Sequence, residues 1–555
     1  MMYRLINALN PTQVLLLCVS LLLSLMLIIL NNTGALTIAL GDFIFYSGLL
    51  FLCALYRPGL MFLLFIGLLP LEIVNIAPHE LPLALRPYQW IGVLTFVATM
   101  TRYAVGRLPY ALPKMYKVEW LLVCLWIGSV VASFQGTNTP TGLKQSAVLA
   151  SYIVLYAFAR IFIRTLADIK NVLAFVMSTS VVVSMYAFWQ NRRFLQHESS
   201  FQVMDGRPNS VFAEADWLGL YTVLIIGIAY ALLFVLQKSK RGELDIVKLL
   251  NLSLPFRFSI RQAFKICVGL VLLFAIMTAT LSVARSAWLS IGVMSAVLAV
   301  YVLYDSGSLP LWNSGRKQML SFLVTITGIF VVGIALTQIL PLTPFELWNR
   351  AQSTASGLQK ITVACESPVA LPESIPDISA LEQYHCKHIA LEDQESESLK
   401  GLSIQSIYRP DPNVNSRQEI YRKTWSALRE HWLFGIGFGN SATILGQDSR
   451  GAGLNASNIF LEVWLGAGIL GFLSFTILWI SLGFTIWRRA WRMKLHTEWF
   501  AVFMGIGIVW MGMSVFNTFN SGLLLGFFWI WLAVAVHLSQ RKIQPEEVVT
   551  TQKIY

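Results

Sequence analysis

The sequence predicts an all-α integral membrane protein of about fourteen transmembrane helices, with one large extracytoplasmic loop before the last three. Three observations carry that prediction. Of the 555 residues, 56% are hydrophobic and only 13% charged, about half the roughly 25% charged content of soluble domains. Apolar runs near the ~20 residues needed to cross ~30 Å of hydrocarbon recur along the chain. Lys and Arg also alternate between connections in the manner that fixes membrane orientation. The mean hydropathy is +0.63. A net charge of +12 with 41 Lys+Arg would suggest nucleic acid in a polar protein; in a chain this apolar it is first a membrane signal. Six cysteines are too sparse for a disulfide scaffold.

In chain order the runs cover 12–31, 35–56, 59–77, 88–104, 118–134, 143–163, 171–190, 211–237, 263–283, 287–305, 318–340, 458–487, 499–517 and 521–539. The first is too long for a signal peptide and lacks a small-residue cleavage site before the next run, so it is read as a helix. The second and third are split only by Arg57-Pro58-Gly59, and the ninth and tenth only around Arg285. With the N-terminus inside and strict alternation, the inner connections collect 25 basic residues against 16 elsewhere, ten of those in the long segment 341–457. An odd number of spans would scramble this bias, so both termini are expected in the cytoplasm. The inner side then carries +17 and the remainder −5.

The predicted organisation is therefore transmembrane helices 1–11 over 1–340, an extracytoplasmic segment over 341–457, helices 12–14 over 458–540 and a cytoplasmic tail over 541–555. In the outer segment, Pro368, Pro372, Pro376 and the acidic run Glu392-Asp393-Gln394-Glu395-Ser396-Glu397 read as loop. Its second half reads as an amphipathic helix near 417–432. Ser416-Arg417-Gln418-Glu419 has capping-box spacing, and Ile420, Trp425, Leu428 and Trp432 follow at helical intervals. Such a helix suits the outer membrane–water boundary.

Ionisable groups at membrane depth cost ~2.5–3.5 kcal/mol each on insertion scales, so the few present are informative. Arg285 is read either as snorkelling to the headgroups or as a bidentate clamp for phosphate. Glu214 and Asp216 open the eighth run, either as carboxylates at a helix N-terminus or as acceptor-binding and basic groups. Arg192, Arg193 and Arg207 crowd one short outer loop against the charge bias, favouring an anionic ligand over headgroup contacts. Asp42 and Glu72 lie nearer the interiors of runs. Gly435-Ile436-Gly437-Phe438-Gly439-Asn440 reads as a flexible turn, since it lacks the Lys-Ser/Thr and strand context of a nucleotide loop. His385-Cys386-Lys387-His388 has no second cluster at metal-site spacing, so a metal is disfavoured. Cys365 and Cys386 are candidates for a disulfide that pins the outer segment.

Four stretches together resemble the bacterial O-antigen ligase/O-antigen polymerase family. They are Gly206-Arg207-Pro208 leading to Glu214-Ala215-Asp216-Trp217-Leu218-Gly219; Thr280 to Trp288; Arg417 to Trp425 with His431 to Asn440; and Ser457-Asn458, nine residues, then Gly468-Ile469-Leu470-Gly471. The last fits a signature of His-Asn, nine residues, Gly, two residues, Gly, with Ser457 in place of the His. A serine hydroxyl is no general base near neutral pH. His431, Glu214, Asp216 and Glu462 are candidates to substitute.

The resemblance implies a GT-C-like architecture and a glycosyltransferase of the bacterial inner membrane. Its donor would be an oligosaccharide on polyprenyl diphosphate, such as undecaprenyl diphosphate. Its acceptor would be a glycan, lipid or protein, in O-antigen, lipopolysaccharide or exopolysaccharide assembly. It implies no metal, nucleotide or other cofactor, and the membrane lipids as surroundings. Arg192, Arg193, Arg207, Arg285, Arg417 and Asn458 are the expected substrate-binding residues; Glu214, Asp216, His431, Ser457 and Glu462 are the catalytic candidates. The competing readings are a solute transporter, for example of inorganic carbon, kept open by Asp42 and Glu72, and an inactive scaffold, suggested by Ser457.

Overall fold

The computed structural model describes residues 11–82, 84–108, 112–204, 206–238, 260–307, 314–345, 347, 357–389, 394–410, 412–447, 453–492, 498–514 and 522–540. Expectations resting on Arg4, the basic residues between 240 and 257, Arg350, Glu392-Asp393, Arg450, Lys494 and the tail 541–555 fall outside them.

Every apolar run contains a helix. The first eleven are α1 (Pro11–Asn32), α2 (Leu40–Tyr56), α3 (Pro58–Leu68), α4 (Pro87–Ala104), α5 (Trp120–Ser133), α6 (Thr139–Phe162), α7 (Leu166–Leu195), α8 (Ala215–Lys238), α9 (Ile260–Leu281), α10 (Arg285–Gly307) and α11 (Ser314–Ile339). The outer segment follows with β1 (Leu358–Cys365), β2 (Cys386–Ile389), α12 (Gln394–Leu399), β3 (Ser403–Pro410), α13 (Pro412–His431) and α14 (Ser441–Leu445). The chain then returns through α15 (Ile459–Arg492), α16 (Glu498–Met513) and α17 (Gly522–Gln540). Eight of these helices, α1, α6 to α11 and α15, are long and apolar enough to cross a membrane; α2, α3, α16 and α17 contribute shorter apolar stretches.

Local chemistry sets the helix starts. Pro58 and Pro87 open α3 and α4 at first-turn positions, where no amide donor is missed. Asn138 Oδ1 accepts from the Thr141 amide at the start of α6, and Thr165 and Asp168 form a reciprocal cap on α7. Leu15, Leu22, Phe45, Leu52, Val324 and Phe484 are each more than 60% exposed. Side chains of that size spread over a helical bundle belong against lipid, not water. At the centre, α8 buries Val223, Ile225, Ile226, Ala229 and Tyr230 completely.

Small residues let the most intimate helix pair approach. A Cβ on Gly128 of α5 would lie 2.6 Å from the Ala467 carbonyl oxygen and 3.0 Å from the Gly471 nitrogen of α15. This is the close backbone approach expected of small residues in apolar helix packing.

Three sequence expectations need correction. The third run was expected to stay in the span to residue 77, but its helix ends at Leu68, and Glu72 lies in the loop beyond it. Leu69-Pro70 and the following turn release the chain to pair Glu72 and Ile73 amides with the Val211 carbonyl. The first half of the long segment is not all loop, although Pro368, Pro372 and Pro376 do lie in one. It builds an antiparallel sheet of order β2-β1-β3 over a small core of Ile361, Val363, Ile375, Leu381 and Ile407. Its strands are too short to stand out beside the proline and acid runs. Cys365 and Cys386 face each other across β1 and β2 and form the disulfide.

The third correction concerns α13. It begins at Pro412, which places Ser416 inside the helix rather than at its cap. The buried stripe is Ile420, Thr424, Ala427 and Leu428, whereas Trp425 and Trp432 are half exposed. The 3.6-residue period explains Trp425, which sits about 100° beyond Thr424, and Trp432 lies past the end of the helix at His431.

Candidate functional site

The described contacts gather the expected site residues into two groups. The first surrounds Arg207, in the loop between α7 and α8. This loop is welded to the end of α7 by two fully buried amides, Gln190 and Asn191. Gln190 Oε1 accepts from the Ser210 amide at 2.7 Å, and Asn191 Nδ2 donates to the Gly206 carbonyl at 3.4 Å and, beyond α11, to the Leu342 carbonyl at 2.8 Å. Gly206 takes φ +69°, and a Cβ there would lie 2.8 Å from the Pro344 ring. The turn that presents Arg207 therefore fits only glycine at that point.

Arg207 is itself buried. Its Nε donates to the Ser282 carbonyl at 2.9 Å and its Nη2 to Asp216 Oδ1 at 2.6 Å. Among the described residues its Nη1 meets the Met204 sulfur at 3.6 Å, a weak acceptor. Ser282 belongs to the break between α9 and α10, where Val283 takes φ +52°. A β-branched residue in the left-handed region is strained, and such strain gathers at working sites. Two residues later Arg285 opens α10, so this break carries one guanidinium and holds a second through its backbone.

Glu214 and Asp216 lead into α8 beside this pair, with Asp216 57% exposed at its side chain. Glu72 joins them from the loop after α3: its Oε2 accepts from the Ala213 amide at 3.3 Å. Burial pushes the Glu72 carboxyl up to about 7. The Ala213 hydrogen bond and Arg86 oppose that shift, and the Glu214 charge adds to it. The sequence marked Glu72 as unusual without connecting it to Glu214. Gln190 and Asn191 were missed, although two adjacent amides in an apolar helix end were a usable signal.

Arg192 and Arg193 do not converge on Arg207. Arg193 pairs with Glu198 at 3.2 Å and lies over the Trp189 ring, while Arg192 points outward from the last turn of α7. Arg417 is exposed on α13.

Beside Arg285 a cavity of about 940 Å³ opens between α9, α10 and α11. Thr280, Trp288 and Gln338 line its upper part, and Ile291, Ile326, Phe330 and Ile334 line most of its remainder. Trp288 lies one turn from Arg285 along α10, so the trough opens near the break between α9 and α10.

The second group lies around the start of α15. Asn458 is the helix N-cap: its Oδ1 accepts from the Phe460 and Leu461 amides at 2.9 and 3.2 Å. Glu462 is buried, and its Oε2 accepts from the Ala456 amide at 2.8 Å. Ser457, between them, takes φ +53°. His431 ends α13 with its carbonyl accepting from the Gly435 amide.

The glycine-rich turn that follows is a packed plug rather than a flexible turn. Gly435, Gly437 and Gly439 take φ of +74°, +79° and +83°. The Ile436 amide donates to the Leu465 carbonyl at 2.7 Å, and the Ile469 amide to the Leu433 carbonyl at 3.0 Å. Those partners are free because α15 breaks at Gly468, φ +63° and ψ −168°. A Cβ on Gly468 would lie 2.5 Å from the Leu433 carbonyl oxygen. The two glycines of the signature thus have different tasks: Gly468 opens the helix to the turn, and Gly471 seats α15 on α5.

Residues 270–476 match the family model described as O-antigen ligase. Over that segment the chain is similar to the O-antigen ligase family. The matched segment includes the α9–α10 break, Arg285, the apolar trough, α13, the glycine-rich turn and the paired glycines of α15. Arg207 and Asp216 precede it and are joined to it through the Ser282 carbonyl. No curated protein matches the chain.

Proposed function

We propose that this chain is a membrane glycosyltransferase of the O-antigen ligase family. In this reading it moves an oligosaccharide from polyprenyl diphosphate to an acceptor hydroxyl at the outer face of the inner membrane. The observation that carries the reading is the apolar trough of about 940 Å³ lined by Thr280 and Trp288, which flank the break that bears Arg285 and holds Arg207. An amphiphile with a long apolar chain and a diphosphate needs that pairing: burial of the chain at ~25 cal/mol per Å² and charge-assisted donors at its head.

In the proposed step the bond between the anomeric carbon and the diphosphate oxygen breaks as the acceptor oxygen bonds that carbon. Polyprenyl diphosphate departs as the anion, and the hydroxyl proton passes to a carboxylate. Arg285 and the Nη1 of Arg207 would stabilise the charge growing on the diphosphate. Asp216 and the Ser282 carbonyl fix the Arg207 fork, so it need not reorganise during the step. Glu72 suits the proton acceptor, because its carboxyl titrates at about 7, near the optimum for a general base. It adjoins Glu214 and would take the role left open by Ser457. His431, Ser457 and Glu462 are then assigned to shaping the α15 side of the acceptor region.

The reading is tested by a photoreactive polyprenyl-diphosphate glycan. Crosslinks to the α10–α11 trough, competed by unlabelled donor, are expected. Uniform labelling of every lipid-facing helix would count against it.

A further inference from the structure

Six helices meet at the end of the bundle opposite Arg207 and enclose a second cavity, of about 530 Å³. Arg57 joins α2 to α3, Arg102 ends α4, and Arg164 follows α6; all three line it, with Asp168 and Asn171 from α7. We infer that this cavity binds a phosphate group, carried by an anionic lipid headgroup or free in solution.

Three guanidiniums around one carboxylate leave the cavity formally cationic. Two of them are held by backbone carbonyls. Arg102 Nη2 donates to the Arg107 carbonyl at 2.9 Å and its Nη1 to the Tyr56 carbonyl at 3.3 Å; Arg164 Nε donates to the Ile161 carbonyl at 2.9 Å. Neutral acceptors fix the Arg102 fork without cancelling its charge. Asp168 is occupied as a helix cap, its Oδ2 accepting from the Arg164 and Thr165 amides at 3.1 and 2.8 Å.

An independent observation marks a missing polar partner. Asn171 Oδ1 is buried with no hydrogen-bond partner among the described residues, and such a group is costly to leave alone. A flip of the amide would turn Nδ2 toward a bound oxyanion. Below the arginines the wall is apolar, with Phe62, Leu63, Phe162 and Val172, and Tyr56 stands exposed at the rim. That layering matches the headgroup boundary, where basic pockets between helices take anionic lipids. By the Lys and Arg distribution this boundary is the cytoplasmic one. A topogenic charge bias requires basic residues in the connections; it does not require them to converge on one cavity.

The test uses the full chain in nanodiscs of phosphatidylcholine, with and without phosphatidylglycerol, and inorganic phosphate added separately. Phosphatidylglycerol is expected to be retained by the wild type in native mass spectrometry and to raise its Tm. Arg57→Gln, at an exposed position, should weaken retention roughly tenfold, the loss of one charge-assisted contact. Lys317→Gln on α11 should leave it unchanged. A Tm rise with inorganic phosphate in pure phosphatidylcholine identifies a soluble source; a response only to phosphatidylglycerol identifies a lipid. An equal response of wild type and Arg57→Gln to whichever probe binds, or no response to either probe, overturns the assignment.

Discussion

Filling the apolar trough without disturbing the fold separates donor binding from stability. Gly292 lines the trough on α10, and a Cβ placed there meets nothing within 4 Å. Its backbone is helical, so Gly292→Phe introduces no left-handed strain and removes a poor helix former, a gain of a few tenths of a kcal/mol. The new ring would occupy space proposed for the donor chain. If it displaces three methylene equivalents at ~0.8 kcal/mol each, donor binding weakens by ~2.4 kcal/mol, roughly 50-fold. The assay is the KM for a polyprenyl-diphosphate glycan in detergent micelles, with Tm measured on the same preparation. A raised KM with unchanged or higher Tm is expected, together with a smaller effect on a short-chain donor analogue. An unchanged KM for the long-chain donor would refute the assignment of the trough.

Further outcomes follow from the same contacts. Arg207→Gln should lower kcat roughly 100-fold or more, as removal of a preorganised donor does; Arg207→Lys should not rescue it, because Lys lacks the fork that reaches Ser282 and Asp216 together. Gly468→Ala should lower stability by ~1–3 kcal/mol, the cost of a side chain in that glycine-only region, and raise protease sensitivity near 433–436 in limited digestion. Replacing Cys365 and Cys386 by Ala should destabilise the outer sheet by ~2–4 kcal/mol, read by hydrogen exchange of β1, with the helical bundle's Tm little altered. Glu72 is protonated more readily in the fold than in the unfolded chain. Its contribution is therefore fully favourable below the ordinary carboxylate pKa and is lost as pH rises toward about 7. Glu72→Gln should flatten the fall in Tm between pH 5 and 8, and transfer by the wild type should rise as pH passes about 7.

The apolar runs and their punctuation were legible because span length and the Arg57-Pro58 and Arg285 breaks are local signals. The sheet was not, since its stability comes from pairing β1 with two later strands, one on each side of it, and from the Cys365–Cys386 link. Arg207, Asp216 and Arg285 stood out as charges in apolar surroundings. That Arg207 reaches Ser282 across 75 positions could not be read from spacing. Nor could the link of Glu72 to Ala213, 141 positions away, which depends on where the short helix α3 ends. The glycines at 435, 437 and 439 looked like a generic turn, because their tight fit against α5, α6 and α15 is a tertiary property.

The central claim is that this chain transfers glycan from a polyprenyl diphosphate. The most direct measurement reconstitutes the purified full chain in liposomes with a polyprenyl-diphosphate oligosaccharide and an acceptor glycan, lipid or protein in turn, beside the Arg207→Gln variant. The account predicts release of polyprenyl diphosphate matched by a larger glycan product, with both lost together in the variant. Release at equal rates from the two proteins, or none across acceptors of all three chemical kinds, would contradict it.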